Sequence, residues 1–139
     1  MRQKKILVPL DGSKTSFRGL DKAIQYAKQT DADIIGLYVI KNNPTELESI
    51  ASLLTRSLKK KYKEFMKTAK KKCTAKKIPF LDVVAFGEEG PKIVDYAKRQ
   101  KCDMIVMGSR GMGSLREAFL GSTSHYVLDK SKIPVMIVK

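Results

Sequence analysis

A segment rich in glycine holds the residues best suited to bind an anion. It contains Gly108, Gly111, Gly113 and Gly121, followed directly by Ser122, Thr123 and Ser124. Glycine lets a backbone turn with positive φ and approach a ligand closely, and its amides can form an anion-binding concavity. The hydroxyl residues begin a predicted helix, whose free amides and positive dipole end suit phosphate. The segment favours a polyphosphate ligand. A loop that needs glycine only to turn, before a helix that needs serine only as its N-cap, is the alternative.

Other sites with comparable residues are excluded by their spacing. Residues 12–15 resemble the end of a Walker A motif, but the lysine does not follow the glycine directly. Arg116 stands where a dinucleotide fingerprint needs its third glycine. The single histidine, His125, has no carboxylate placed by any motif to orient it, so we interpret it as a surface residue. Two cysteines 29 positions apart leave no zinc site. We assign no catalytic residue and no metal ligand.

Five short apolar runs alternate with amphipathic stretches. The predicted strands cover 6–10, 33–40, 80–86, 104–107 and 135–138, and the predicted helices cover 15–27, 45–75, 91–100 and 122–129. Ser13 or Thr15 is available as the first N-cap. This alternation predicts a single α/β domain over residues 1–139, an open five-stranded parallel sheet with helices on both faces. The order 3-2-1-4-5 would place Asp11, after strand 1, and Gly108, after strand 4, in one crevice.

Size and composition limit the class of protein. The chain has 139 residues, of which 42% are hydrophobic and 30% charged, so it suits one globular domain. No apolar stretch approaches the roughly 18 residues of a membrane span, and the run 6–10 is too short for a signal peptide. Two cysteines form no disulfide framework, which is typical of a reducing interior. We expect a cytoplasmic protein without a membrane partner.

The spacing of the glycine segment resembles that of a known family. Gly108, two residues, Gly111, nine residues and then Gly121-Ser122 is similar to the ATP-binding branch of the universal stress protein family. The opening Lys-Lys-Ile-Leu-Val-Pro-Leu-Asp-Gly-Ser and the closing Ile-Pro-Val-Met-Ile-Val resemble the family's first strand with its acidic turn, and its last strand. The resemblance covers nearly all of the chain.

The resemblance implies an adenine nucleotide site and ATP as the ligand, with Mg²⁺ held mainly by phosphate and water oxygens. In it Asp11 would contact the ribose and Val39 would line the adenine pocket. The positions that match the family's nucleotide-binding residues are Pro9, Asp11, Val39, Met107, Gly108, Gly111, Gly121, Ser122 and Thr123. Ser109 and Ser124 are secondary candidates. On residue type alone, Asp11 would only cap its own turn and Val39 would only pack in the core.

The resemblance further implies a nucleotide-responsive regulatory module in the stress response, a binder before an enzyme. Slow ATP hydrolysis stays open, although no residue is assigned to it. Relatives commonly pair through the last strand, so a homodimer through residues 135–138 is expected.

The basic residues suggest an alternative function. The formal charge is +14, and residues 56–77 carry +10 of it, from 11 basic residues and Glu64. Tyr62 and Phe65 fall on the apolar side of this helix, where they could not stack on bases. A solvated helix face is one interpretation, and binding of nucleic acid or another polyanion by the lysines is the other.

Overall fold

The computed structural model describes residues 2–41, 56–110 and 120–139, except for the side chains of residues 56–58. Strands and helices alternate in the predicted order. They are β1 (Lys5–Pro9), α1 (Lys14–Thr30), β2 (Asp33–Ile40), α2 (Arg56–Ala75), β3 (Phe80–Phe86), α3 (Glu89–Arg99), β4 (Met104–Gly108), α4 (Ser122–Lys130) and β5 (Val135–Val138). The part of the predicted second helix before residue 56 lies outside the described residues.

The five strands form one parallel sheet in the order β3-β2-β1-β4-β5. The predicted fold class and strand order are confirmed. β1 lies at the centre, where both faces are covered, and Leu7 and Val8 are fully buried. This explains why the strand has a continuous apolar run instead of an alternating one.

The sheet separates two cores. Leu20 of α1 and Phe65 of α2 pack on one face, in a cluster that includes Cys73. Ile93 of α3 and Val127 of α4 pack on the other face, with Cys102. Right-handed crossovers require this division. The chain moves outward in one direction from β1 to β3, and in the other from β4 to β5.

The first residues of α1 and α3 show which residue types begin these helices. Ser13 is the N-cap of α1, and its Oγ accepts a hydrogen bond from the Ser16 N–H at 3.2 Å. The helix α3 begins at Glu89, so Pro91 is its third residue instead of its first. Proline is tolerated there because the first-turn amides have no intrahelical partner.

None of the helices in the described ranges has the length and apolar character needed to cross a bilayer.

Candidate functional site

A cleft of about 780 Å³ opens at the carboxyl ends of β1 and β4. The order of the sheet reverses at this point, where α/β sheets bind their ligands. Eight of the nine residues that the sequence predicts for a nucleotide line it: Pro9, Asp11, Val39, Met107, Gly108, Gly121, Ser122 and Thr123. The ninth, Gly111, lies outside the described residues. The cleft brings together residues from both ends of the chain, as the strand order predicts.

One wall of the cleft is apolar. Its members come from β1, β2, α3 and β4, and they are Pro9, Leu10, Leu37, Val39, Ile93 and Met107. Val39 is 7% exposed and belongs to the core beneath α3 and α4, so it packs in that core and also faces the cleft. A largely apolar wall with a few polar groups at one end is typical of small-molecule sites.

Asp11 both closes its own turn and lines the cleft. The Ser13 N–H donates to Asp11 Oδ1 at 2.9 Å, as expected for a turn aspartate. The same residue faces the cleft beside Pro9. The two interpretations of Asp11 are therefore compatible, because the hydrogen bond within the turn fixes the carboxylate at the cleft.

Gly108 is required by packing as well as by its place in the cleft. A Cβ at Gly108 would lie 2.6 Å from the carbonyl oxygen of Thr15, which no side chain tolerates. Gly19 makes the reciprocal close contact, since its Cβ would lie 3.2 Å from the Gly108 nitrogen. The end of β4 therefore lies directly against the first turns of α1, and this contact forms part of the cleft floor.

The backbone of Ser109 joins the end of β4 to the start of α4. Its carbonyl accepts hydrogen bonds from the Gly121 N–H and from Ser124 Oγ, both at 2.7 Å. Its N–H donates to the Val138 carbonyl of β5 at 2.8 Å. The Thr15 hydroxyl donates to the carbonyl of Arg110. These bonds fix both flanks of residues 111–119. Ser124 is 2% exposed and its hydroxyl supports the backbone, and the residue also lines the cleft.

The N-terminus of α4 points into the cleft without a capping side chain. Gly121 is the N-cap and Ser122 is the first helical residue, so no serine caps this helix. No acidic residue lies in the first turn. The positive end of the helix dipole at this edge of the cleft favours negative charge.

Two carboxylates that the sequence did not predict as site residues line the cleft. Glu88 and Glu89 follow β3 and line the cleft, as do the cations Lys41 and Arg110. Thr123 Oγ1 donates to Glu89 Oε2 at 2.7 Å, so this hydroxyl is already engaged. No motif marks these glutamates.

A packing contact brings the two glutamates to the cleft. The Tyr126 ring of α4 lies over Gly90, where a Cβ would be 2.7 Å from the ring. This contact draws the start of α3 to the start of α4.

Two carboxylates of the cleft affect the half-buried phenol of Tyr38. Burial raises the pKa of Tyr38, and the carboxylates of Asp11 and Glu89 raise it further.

The described residues contain no cluster of three side chains that could hold a metal ion.

The sequence matches the universal stress protein family over residues 3–139. It is 32% identical to universal stress protein YxiE of Bacillus subtilis (strain 168), over 97% of this chain and 98% of the relative. It is 31% identical to universal stress protein MJ0577 of Methanocaldococcus jannaschii, over 98% of this chain and 94% of the relative. The solved structure of MJ0577 superposes with a TM-score of 0.83, over 100% of this chain and 97% of that one. A universal stress protein in complex with cAMP is 25% identical, with a TM-score of 0.82 over 98% of this chain and 97% of that one.

Proposed function

Because this chain belongs to the universal stress protein family, we propose that its cleft binds an adenine nucleotide, and ATP in particular. One observation carries the proposal. Residues from β1, β2, β4 and α4, or directly next to them, match the family's nucleotide positions, and they line a single cleft. The complex of a similar protein with cAMP supports an adenine nucleotide as the class of ligand.

The chemistry of the cleft suits the three parts of such a ligand. The apolar wall with Val39 and Met107 would pack against the adenine ring. The Asp11 carboxylate, held by its own turn, would accept hydrogen bonds from ribose hydroxyls. The uncapped amides at Ser122 and the glycine segment would hold the phosphates.

Mg²⁺ would accompany the phosphates of ATP. The cleft offers carboxylates instead of a complete cage, and Mg²⁺ commonly takes one or two carboxylates together with phosphates and water. Glu89 lies next to the proposed phosphate position, where its negative charge would otherwise oppose the ligand. When bound, the ion would neutralise phosphate charge. We assign it no direct protein ligand.

The protein would act in the cytoplasm as a nucleotide-responsive regulatory module in the stress response. Hydrolysis needs a group that positions or deprotonates water near the terminal phosphate. His125 is exposed and does not line the cleft. We therefore expect slow ATP hydrolysis at most.

The proposed assembly is a homodimer through β5. This strand is an edge of the sheet, and all four of its residues are half-buried. An exposed apolar edge is a template for pairing with a second strand. Leu128 of α4, a helix that packs against β5, is 48% exposed and is a further apolar residue at the surface.

The proposal is tested by the ligand that the protein carries when purified. Denatured protein is analysed by mass spectrometry for nucleotides, with Gly121→Val as the blocked variant and Leu81→Val, at an exposed residue of β3, as the control outside the cleft. Gly121 has a φ of −69°, which valine can adopt, and it lines the cleft, where a larger residue should leave less room for a ligand.

We expect ATP from the wild type and the control, and none from Gly121→Val. Recovery of only cAMP or AMP would keep the site and correct the ligand. Wild-type protein that carries no nucleotide and takes up no added ATP would overturn the proposal.

A further inference from the structure

The basic charge of the molecule is concentrated on one side of the sheet. The helices α1 and α2 carry 13 basic and two acidic residues, a formal +11. The helices α3 and α4, on the other side, carry four basic and three acidic residues, a formal +1. Solubility alone does not require such a separation, so the layer of α1 and α2 offers a surface that suits an acidic partner.

Four lysines of α2 form a continuous stripe on its outer surface, which we call the lysine face. They are Lys60, Lys63, Lys67 and Lys71, spaced by three, four and four residues. This spacing keeps them on one side of a helix, opposite the buried Phe65, Met66 and Ala69. All four are exposed. At 1.5 Å per residue the stripe is about 16 Å long.

Among the residues that the structure describes, no carboxylate pairs with the lysine face. Lys72, at its side, pairs with Asp21 of α1 at 3.0 Å. Within the described ranges, no carboxylate lies within 4.0 Å of any of the four lysines of the face, and this includes Glu64 on the same helix. Like charges one turn apart destabilise a helix, and an external polyanion would relieve this repulsion.

The residue types favour the backbone of a duplex over single strands. A single strand is bound by aromatic side chains on which its bases stack. The aromatic residues of α2 are turned inward. Tyr62 stacks on Tyr38 with 5.6 Å between ring centroids, and its hydroxyl donates to Asp82. Phe65 is 8% exposed. Lysine is a compact point charge that suits phosphate oxygens, and phosphate contacts carry no sequence information.

We infer that the lysine face of α2 docks on the phosphate backbone of double-stranded nucleic acid, without sequence specificity. The stripe of about 16 Å spans about five phosphates of one strand, at 3.4 Å per phosphate along the axis. The face lies outside the proposed nucleotide site, since none of the described side chains of α2 lines the cleft. Duplex binding therefore does not depend on the proposed function, and Gly121→Val should leave it unchanged.

The test is fluorescence anisotropy with two labelled 20-base-pair DNA duplexes of unrelated sequence. The variant Lys60→Glu/Lys67→Glu/Lys71→Glu reverses the lysine face. The control, Lys98→Glu/Lys130→Glu/Lys132→Glu, reverses exposed lysines away from it and changes the net charge equally. Circular dichroism of both variants checks that they fold.

We expect the wild type to bind both duplexes equally, with a slope of log K against log salt of about −4 for four phosphate contacts. The face variant should lose at least about 30-fold in affinity at low salt and about three units of slope. The control should lose less than about threefold.

Three results would overturn the inference. Equal losses in the two variants would mean that net charge alone attracts the DNA. Tighter binding of the single strand than of the duplex would indicate base stacking. Equally tight binding of polyglutamate at the same salt concentration would indicate an acidic protein partner.

Discussion

Ser124 holds the start of α4 against the end of β4 through one buried hydroxyl. It bonds to the carbonyls of Ser109, at 2.7 Å, and Gly121, at 3.1 Å. Ser124→Ala should therefore lower the free energy of unfolding by about 1 kcal/mol, the usual net value of a hydrogen bond. Urea denaturation measures the change. Ser122→Ala, at an exposed neighbour, should stay within about 0.5 kcal/mol of the wild type. An equal loss in both variants would contradict the role given to Ser124.

Glu89 places a negative charge where the phosphates are proposed to bind. Glu89→Gln keeps an oxygen to accept the Thr123 hydroxyl and removes the charge. We expect it to tighten ATP binding about fivefold without divalent ions, since unit charges about 4 Å apart interact by about 1 kcal/mol in water. Added Mg²⁺ should reduce the difference. Titration calorimetry measures both conditions.

The matched control for Glu89 is Asp95→Asn on the same helix. Asp95 is exposed and pairs with Arg99 at 2.9 Å, and it does not line the cleft. Its loss should leave ATP affinity nearly unchanged. If Glu89→Gln weakened ATP binding with and without Mg²⁺, the carboxylate would be an attractive contact, and the phosphates would have to bind elsewhere.

At the scale of the elements, Asp103 joins the starts of β1 and β4. Its Oδ2 accepts the Lys5 N–H at 2.9 Å, and its own N–H donates to the Lys5 carbonyl at 2.8 Å. The Arg2 guanidinium hydrogen-bonds to both carboxylate oxygens. Hydrogen bonding to Arg2 lowers the pKa of Asp103. The folded state therefore favours the ionised carboxylate.

The stability that Asp103 contributes depends on pH. A lowered pKa contributes stability above the unfolded value of about 3.9, and the contribution is lost as the pH falls through the folded pKa. Asp103→Asn should cost about 1 kcal/mol at pH 7, and less as the pH falls below about 4. Thermal melts across this range test it, with Asp129→Asn as an exposed control. A difference that did not depend on pH would assign the effect to packing.

The outer edge of β5 can be altered without disturbing its inner hydrogen bonds. The Ile105 N–H bonds to the Pro134 carbonyl and the Ser109 N–H to the Val138 carbonyl, so residues 134 and 138 face β4. The backbone of Ile137 then faces outward. Ile137→Pro should remove one donor from the edge and convert the proposed dimer to monomer. Sedimentation velocity measures the mass, and Val84→Pro, at an outward position of β3, is the control. A dimer that survives Ile137→Pro would place the interface elsewhere.

The elements were predictable because buried parallel strands appear as continuous apolar runs, as 33–40 in β2 does. The start of α3 was not predictable, because proline is as acceptable at the third position of a helix, where Pro91 lies, as at the first. Most of the candidate site was predicted through the family resemblance, which the glycine spacing and the opening and closing motifs carry. Glu88 and Glu89 were not, because their position depends on Tyr126 packing over Gly90. That contact joins residues 36 positions apart, and no local pattern marks it.

At the scale of the whole molecule, the division of charge follows from topology. The sequence identifies a lysine-rich helix but does not show which helix lies beside it. The strand order and right-handed crossovers place α1 with α2, and α3 with α4. One layer therefore carries nearly all of the positive charge of the helices. Low and high salt should change the association of the protein with anionic surfaces far more than its fold.

The two cysteines lie in different cores, Cys73 beneath α1 and α2 and Cys102 beneath α3 and α4. Burial raises their pKa values to about 12 and about 11, so neither thiol is reactive at neutral pH while the fold is closed. Maleimide labelling, with each cysteine peptide quantified by mass spectrometry, therefore times the opening of each face separately. Equal rates, slowed about 100-fold by ligand at 100 times its Kd, would mean that the sheet opens as one cooperative unit. Faster labelling of one thiol would identify the helical layer that detaches first.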